Sequence, residues 1–195
     1  MGKDINEQML EASTKGYVNE VMKLLKNGAD VDTRNQENFT PLICASRYGR
    51  TETAELLIDK GADIEAETIY EDTPLAWACF NGHTEIAESL IAAGADIAFK
   101  NTVGSSLLII ACHNGHTETV KLLLEHSVDI STFNLNDETC FDNHYQGMWK
   151  AEHSQELIIN KQPHNIKFFD DKIGIIPSLK LKYKDIIELS LMGLF

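Results

Sequence analysis

The chain has 195 residues, 43% hydrophobic and 24% charged, the balance of a folded domain and not of a disordered or fibrous one. The formal net charge is −13 and the acidity is uneven: residues 1–134 carry 10 Lys and Arg against 21 Asp and Glu, residues 135–195 carry 7 against 9. Such a surface repels phosphate backbones and anionic lipid, which disfavours nucleic acid and membrane and points to a protein partner with a basic surface.

Near the start, Met1-Gly2-Lys3-Asp4 is followed by no apolar stretch, so no secretory signal is expected. No apolar run exceeds the six residues of Leu107 to Cys112, whereas a bilayer span needs about 20. A cytoplasmic or otherwise intracellular place is therefore expected, a host-delivered effector included. The four cysteines, Cys44, Cys79, Cys112 and Cys140, form no CxxC pair and read as reduced core residues.

Along the chain one pattern recurs. Gly28-Ala29-Asp30-Val31 returns as Gly61-Ala62-Asp63-Ile64 and Gly94-Ala95-Asp96-Ile97, with a worn copy at Ser127-Val128-Asp129-Ile130; each step is 33 residues. Three more columns keep that step: Gly16, Gly49, Gly82 and Gly115; Ala12, Ala45, Ala78 and Ala111; and the apolar pairs at 24–25, 57–58, 90–91 and 123–124. Independent columns in one register mark an internal repeat.

The first unit, 4–36, lacks Thr-Pro, and its first helix is mostly polar around Met9, Leu10 and Ala12, as suits a terminal cap. In units 37–69 and 70–102, Thr40-Pro41 and Thr73-Pro74 start a short helix: Thr caps free amides and Pro has none to satisfy. Gly49 and Gly82 end it. A second helix follows, with acid in its first turn and an apolar side containing Leu57-Ile58 or Leu90-Ile91, and Gly61 or Gly94 closes it. An extended, turn-like link leads on. Unit 103–135 repeats this with Ser106-Leu107 in place of Thr-Pro, and 136–162 is a degenerate fifth unit. Residues 163–195 leave the period and end in a predicted helix from Ser178 to about Met192, read as a C-terminal cap.

Thr-Pro-Leu-x-x-Ala at 40–45 and 73–78, the pairs Gly82-His83 and Gly115-His116, and Gly-Ala-Asp-Val/Ile at 33-residue spacing resemble the ankyrin repeat. The resemblance implies an all-α solenoid of helix-turn-helix units linked by β-hairpin-like loops, with a C-terminal capping segment. The family's signature His is replaced here by Ile43, Ala76 and Ile109, which implies the loss of hydrogen bonds that tighten neighbouring hairpins.

The resemblance also implies a binding surface on the concave side, made of hairpin tips and the exposed ends of first helices. By register the tips are Glu37 and Phe39; Ile69, Tyr70 and Asp72; Thr102 and Val103; and Leu135. The helix positions are Thr14, Lys15, Arg47, Tyr48, Phe80, Asn81, His113 and Asn114. Phe39, Tyr48, Tyr70 and Phe80, with Arg47, concentrate the residue types that anchor interfaces on units 37–69 and 70–102. Trp77, inside the signature, is expected in the core.

No nucleophile elbow, HExxH, phosphate-binding glycine loop or kinase motif occurs, so no catalysis is expected. Cys79 with His83 and Cys112 with His116 are repeat columns, spaced about 10 Å apart by helix packing, too far to share one zinc ion. No cofactor and no metal are expected. The chain reads as a monomeric adaptor, inhibitor or scaffold that binds a protein. The alternative is a ubiquitin-ligase targeting subunit, since Ile176-Pro177-Ser178-Leu179 faintly resembles the start of an adaptor-recruiting box.

Overall fold

A computed structural model describes residues 4–126, with 128 and 135. The degenerate unit 136–162, the C-terminal cap at 163–195 and the adaptor-recruiting segment lie outside the described residues.

Eight helices occur among the described residues, in four pairs: α1 (Ile5–Lys15) with α2 (Val18–Lys26), α3 (Pro41–Arg47) with α4 (Thr51–Asp59), α5 (Pro74–Asn81) with α6 (Thr84–Ala92), and α7 (Leu107–His113) with α8 (Thr117–Glu125). Each first helix packs on its own second helix and on the first helices of adjoining units, while α2, α4, α6 and α8 stack as a second layer. The all-α repeat architecture expected from the sequence is the one observed.

The starts of the first helices follow from chemistry. Thr40 Oγ1 accepts the Ile43 amide at 3.2 Å, Thr73 Oγ1 the Ala76 amide at 3.2 Å, and Ser106 Oγ the Ile109 amide at 3.4 Å. The serine thus preserves the cap where Thr-Pro has been lost. Asp4 caps α1 through the Ile5 amide. Along α3 every residue from Pro41 to Ser46 is buried, whereas α1 buries only Met9, Ala12 and Ser13. That contrast is the one a terminal unit with a single neighbour should show. In the second layer Leu24, Leu57, Leu90 and Leu123 are all buried, the core edge of the apolar pairs.

The second helices start without a side-chain cap, at Tyr17, Arg50, His83 and His116. These positions are used sideways. Their amides donate to the carbonyls of Ala12, Ala45, Ala78 and Ala111 in their own units. From the second unit on, their side chains reach back across the boundary: Arg50 Nε donates to Thr14 O at 2.9 Å, and Nε2 of His83 and His116 pair with Arg47 O at 3.3 Å and Phe80 O at 2.9 Å. A carbonyl only accepts, so each imidazole carries its proton on Nε2. Arg50, a variant in sequence, does the work of the histidines.

This crossing passes over the glycine column. Gly49 has φ +67°, and a Cβ there would lie 2.6 Å from His83 Cε1. Gly82 is pressed likewise by His116, and Gly16 by Arg50. The glycines are required both by a left-handed backbone and by the side chain of the next unit.

The links are turns; among the described residues no strand forms, and the isolated bridge Lys100–Ser106 is their nearest approach to one. Each link is held by one acceptor in register. Asn35 Oδ1 takes the amides of Glu37 and Phe39, Thr68 Oγ1 those of Tyr70 and Asp72, and Asn101 Oδ1 those of Val103 and Ser105. The turn then passes through a left-handed residue, Asn38, Glu71 or Gly104.

With the signature His replaced by buried Ile43, Ala76 and Ile109, neighbouring links are tied otherwise. The Ile69 amide donates to Glu37 O, Asp32 Oδ1 accepts the Asp63 amide at 2.9 Å, Glu65 Oε1 the Asp96 amide at 2.7 Å, and Arg34 donates to Glu67 O at 3.3 Å. Cys44 and Cys79 are free, buried thiols, as expected.

Two substitutions test this account by thermal and denaturant unfolding. Gly49→Ala must accommodate both the positive φ and the imidazole, and is expected to cost about 2 kcal/mol or more. Glu71→Gly relieves a left-handed glutamate and is expected to stabilise by about 0.5–1 kcal/mol. The reverse order would overturn both assignments.

Candidate functional site

The hairpin tips and the C-terminal ends of the first helices form one margin of the stack, and the side chains there are unlike those elsewhere. The large hydrophobic residues left exposed among those described are Tyr17, Tyr48, Ile69, Tyr70, Phe80, Val103 and Leu135. All but Tyr17 stand at tip or first-helix positions. In proteins generally, large exposed apolar side chains gathered on one side are a common feature of interaction surfaces.

At its centre lies a cluster between the second and third units. The Arg47 guanidinium carbon sits 4.5 Å from the Trp77 ring centroid, 5.3 Å from Phe39 and 5.5 Å from Tyr48. Trp77 in turn packs 5.8 Å from both Phe39 and Phe80, the latter edge-on. Such contacts draw on the negative face of each ring and contribute roughly 0.5–2 kcal/mol apiece, more as water is excluded. Arg47 and Phe80 are also the residues whose backbone carbonyls His83 and His116 hold. The junctions between units therefore fix the helix ends that carry this cluster.

Two expectations are corrected. Phe39 is buried, with 4% of its surface exposed, and is not an available anchor. It stands at the root of its hairpin, one residue before the Thr40 cap, and its ring turns in against Trp77 and a core cluster of Ile43, Cys44 and Ala66. Trp77 is only partly buried and lies in the cluster beneath Arg47, not sealed in the core. The column it shares with Cys44 and Ile110 is buried in both neighbours, but an indole is too large to be enclosed there.

The remaining positions divide by what their side chains already do. Tyr48, Ile69, Tyr70, Phe80 and His113 are exposed. Asn81 and Asn114 spend an amide hydrogen on the carbonyls of Trp77 and Ile110, at 3.0 and 2.9 Å, closing the last turns of α5 and α7. In the first unit Thr14 donates to Leu10 O, and Lys15 pairs with Glu11. The register is continued there by residues already engaged within their own helix.

Acidic groups occur at the hairpins as well: Glu37 and Glu71 are exposed at the tips, and Asp72 is half-buried at a hairpin root. Burial holds the Asp72 carboxyl above its usual range. Burial also pushes the Cys79 thiol up to about 12, so it carries negligible thiolate at neutral pH and is inert as a nucleophile. No group of three or more His, Cys, Asp and Glu side chains converges among the described residues. Nor, among them, is any helix long and apolar enough to cross a membrane.

Helix pairs stacked in a fixed register define a helical repeat scaffold. Consistent with this, a family model for ankyrin repeats in three copies matches residues 9–101 and 89–145. The matches together span most of the chain, which belongs to the ankyrin-repeat family. Ankyrin repeats generally mediate protein–protein interaction and are typically not enzymes. Comparison with curated proteins gives no match.

The raised Asp72 carboxyl has a testable sign. A group whose folded-state pKa exceeds its unfolded value favours folding at acid pH and loses that contribution as pH rises through the folded value. Asp72→Asn is therefore expected to raise Tm at pH 7 by about 1–2 °C. The difference should close as wild-type Asp72 is protonated near and below about pH 4. A difference independent of pH would show that its burial is not electrostatically costly.

Proposed function

We propose that this protein is an adaptor, inhibitor or scaffold that captures a protein partner on the margin formed by its second and third units. The observation that carries this reading is the placement of the exposed large hydrophobic side chains, which among the described residues all lie along the hairpin tips and first-helix ends except Tyr17. Tyr48, Tyr70 and Phe80 are the anchors, Ile69 extends the apolar area, and Arg47 lies among the rings. Rigid aromatics lose little side-chain entropy on docking, and the hydrogen-bonded links hold them in place beforehand. The rim of Glu37 and Glu71 favours a partner with basic residues around the contact and speeds its approach. Asn81, His113 and Asn114 extend the surface toward the fourth unit.

The test places a photo-crosslinking residue at position 70 or 80, or at 55 or 88 on exposed positions of α4 and α6. Protein adducts are expected from the first pair and not from the second. Replacing Tyr48, Tyr70 and Phe80 together by Ser should leave the helical circular dichroism intact and weaken capture by tenfold or more, since interface aromatics are worth about 1–2 kcal/mol each. Adducts formed chiefly through 55 and 88, or capture unaffected by the triple change, would refute the assignment.

A further inference from the structure

The chain contains three arginines, Arg34, Arg47 and Arg50. Two are engaged. Arg34 donates to Glu67 O and faces Asp63 across 3.8 Å, and Arg50 donates to Thr14 O. The guanidinium of Arg47 makes no hydrogen bond and no ion pair with any described residue. It is nevertheless partly buried and flanked by the rings of Trp77, Phe39 and Tyr48. Aromatic rings attract the cation without using its N–H groups, so five donors in a fixed plane are left unmatched. In a chain of net charge −13 this cation has no carboxylate of its own among the described residues, although Glu37, Glu71 and Asp72 stand along the same margin.

We propose that Arg47 is the receptor for a single carboxylate of the partner, supplied by an aspartate or glutamate in an extended segment flanked by apolar residues. The inference rests on the docking face assigned above and names what occupies its centre. A planar fork held over a ring matches a carboxylate with two parallel N–H···O bonds, a geometry lysine does not offer. Tyr48, against the guanidinium, and Phe80, packed on Trp77, take apolar neighbours of that residue. A phosphate group has the same appetite for a guanidinium, but its second negative charge is opposed by Glu37, Glu71 and Asp72, so the monoanionic carboxylate fits this surface better. The same acids welcome basic residues further out, so the segment is one acid among apolar and basic residues.

The test is selection of random peptides displayed on phage against the full chain and against Arg47→Leu and R47K, each first checked for native unfolding behaviour. Peptides from the wild-type selection should share one Asp or Glu beside apolar residues. That acidic position should disappear from the Arg47→Leu selection. A synthetic consensus peptide should bind at least tenfold more weakly to R47K than to wild type, and more weakly again when its acid is replaced by Asn or Gln. R47K keeps charge and stem, so it answers even where Arg47→Leu fails to fold. The inference is overturned if the selected peptides carry no acid, if R47K binds equally, or if phosphoserine in place of the acid binds more tightly. If apolar enrichment survives without the acid and is lost on the Tyr48, Tyr70 and Phe80 triple change, the docking face stands and only the carboxylate assignment falls. If no peptide is enriched on the wild-type chain, both fall.

Discussion

Each boundary between units depends on one side chain crossing over a glycine to reach a carbonyl in the unit before it. Arg50, His83 and His116 make this bond, and Gly16, Gly49 and Gly82 give them room. The bond is modest in energy, but its position matters. It joins the end of one first helix to the start of the next unit's second helix, where free carbonyls would otherwise face a partly buried junction. Leucines of the second layer supply the larger apolar contribution on burial, while the crossing bond sets the spacing at which they meet. Inserting a residue anywhere between glycine and crossing side chain would break both.

The same device organises the margin proposed for binding. Arg47 and Phe80 supply the accepting carbonyls, so the fold's recurring bond and the candidate site share residues. Links tied by Asn35, Thr68 and Asn101 place the tips beside these helix ends. The surface is thus assembled from two rigid sources, an arrangement that would keep the ordering cost of the proposed capture low. Its chemistry departs from the chain as a whole: the acidic protein gathers aromatic rings there, with a guanidinium that pairs with no carboxylate among the described residues.

Much of this was legible in the sequence because repeats expose their rules by repetition. Columns at a 33-residue step placed the eight helices of the described residues, and Thr-Pro, glycine and alanine at fixed offsets named their ends. Register also located Tyr48, Ile69, Tyr70 and Phe80 on the exposed margin. It failed where side-chain volume competes with column depth. Phe39 turns inward because its place at the hairpin root opens onto Trp77, whereas Asp72 in the same column remains half-exposed. Trp77 comes outward because the pocket that encloses Cys44 and Ile110 is too small for it. Substitution by function was also hidden: nothing in the letters says that Arg50 replaces an imidazole, or that Asp32, Glu65 and Arg34 tie the links where the signature histidine is absent.

The crossing bonds all run one way, from a later unit to an earlier one. The stack therefore has a direction that its near-identical units do not reveal. Each unit's helix end is steadied by the unit that follows it: Thr14 by the second, Arg47 by the third, Phe80 by the fourth. Shortening the array from its two ends is not equivalent. Loss of the first unit leaves Arg50 without an acceptor and takes Leu10 away from the core group around Phe39. Loss of the fourth releases the carbonyl of Phe80, a residue of the proposed docking face. The fourth unit, which contributes no ring to the cluster, is the one that holds its far edge in place.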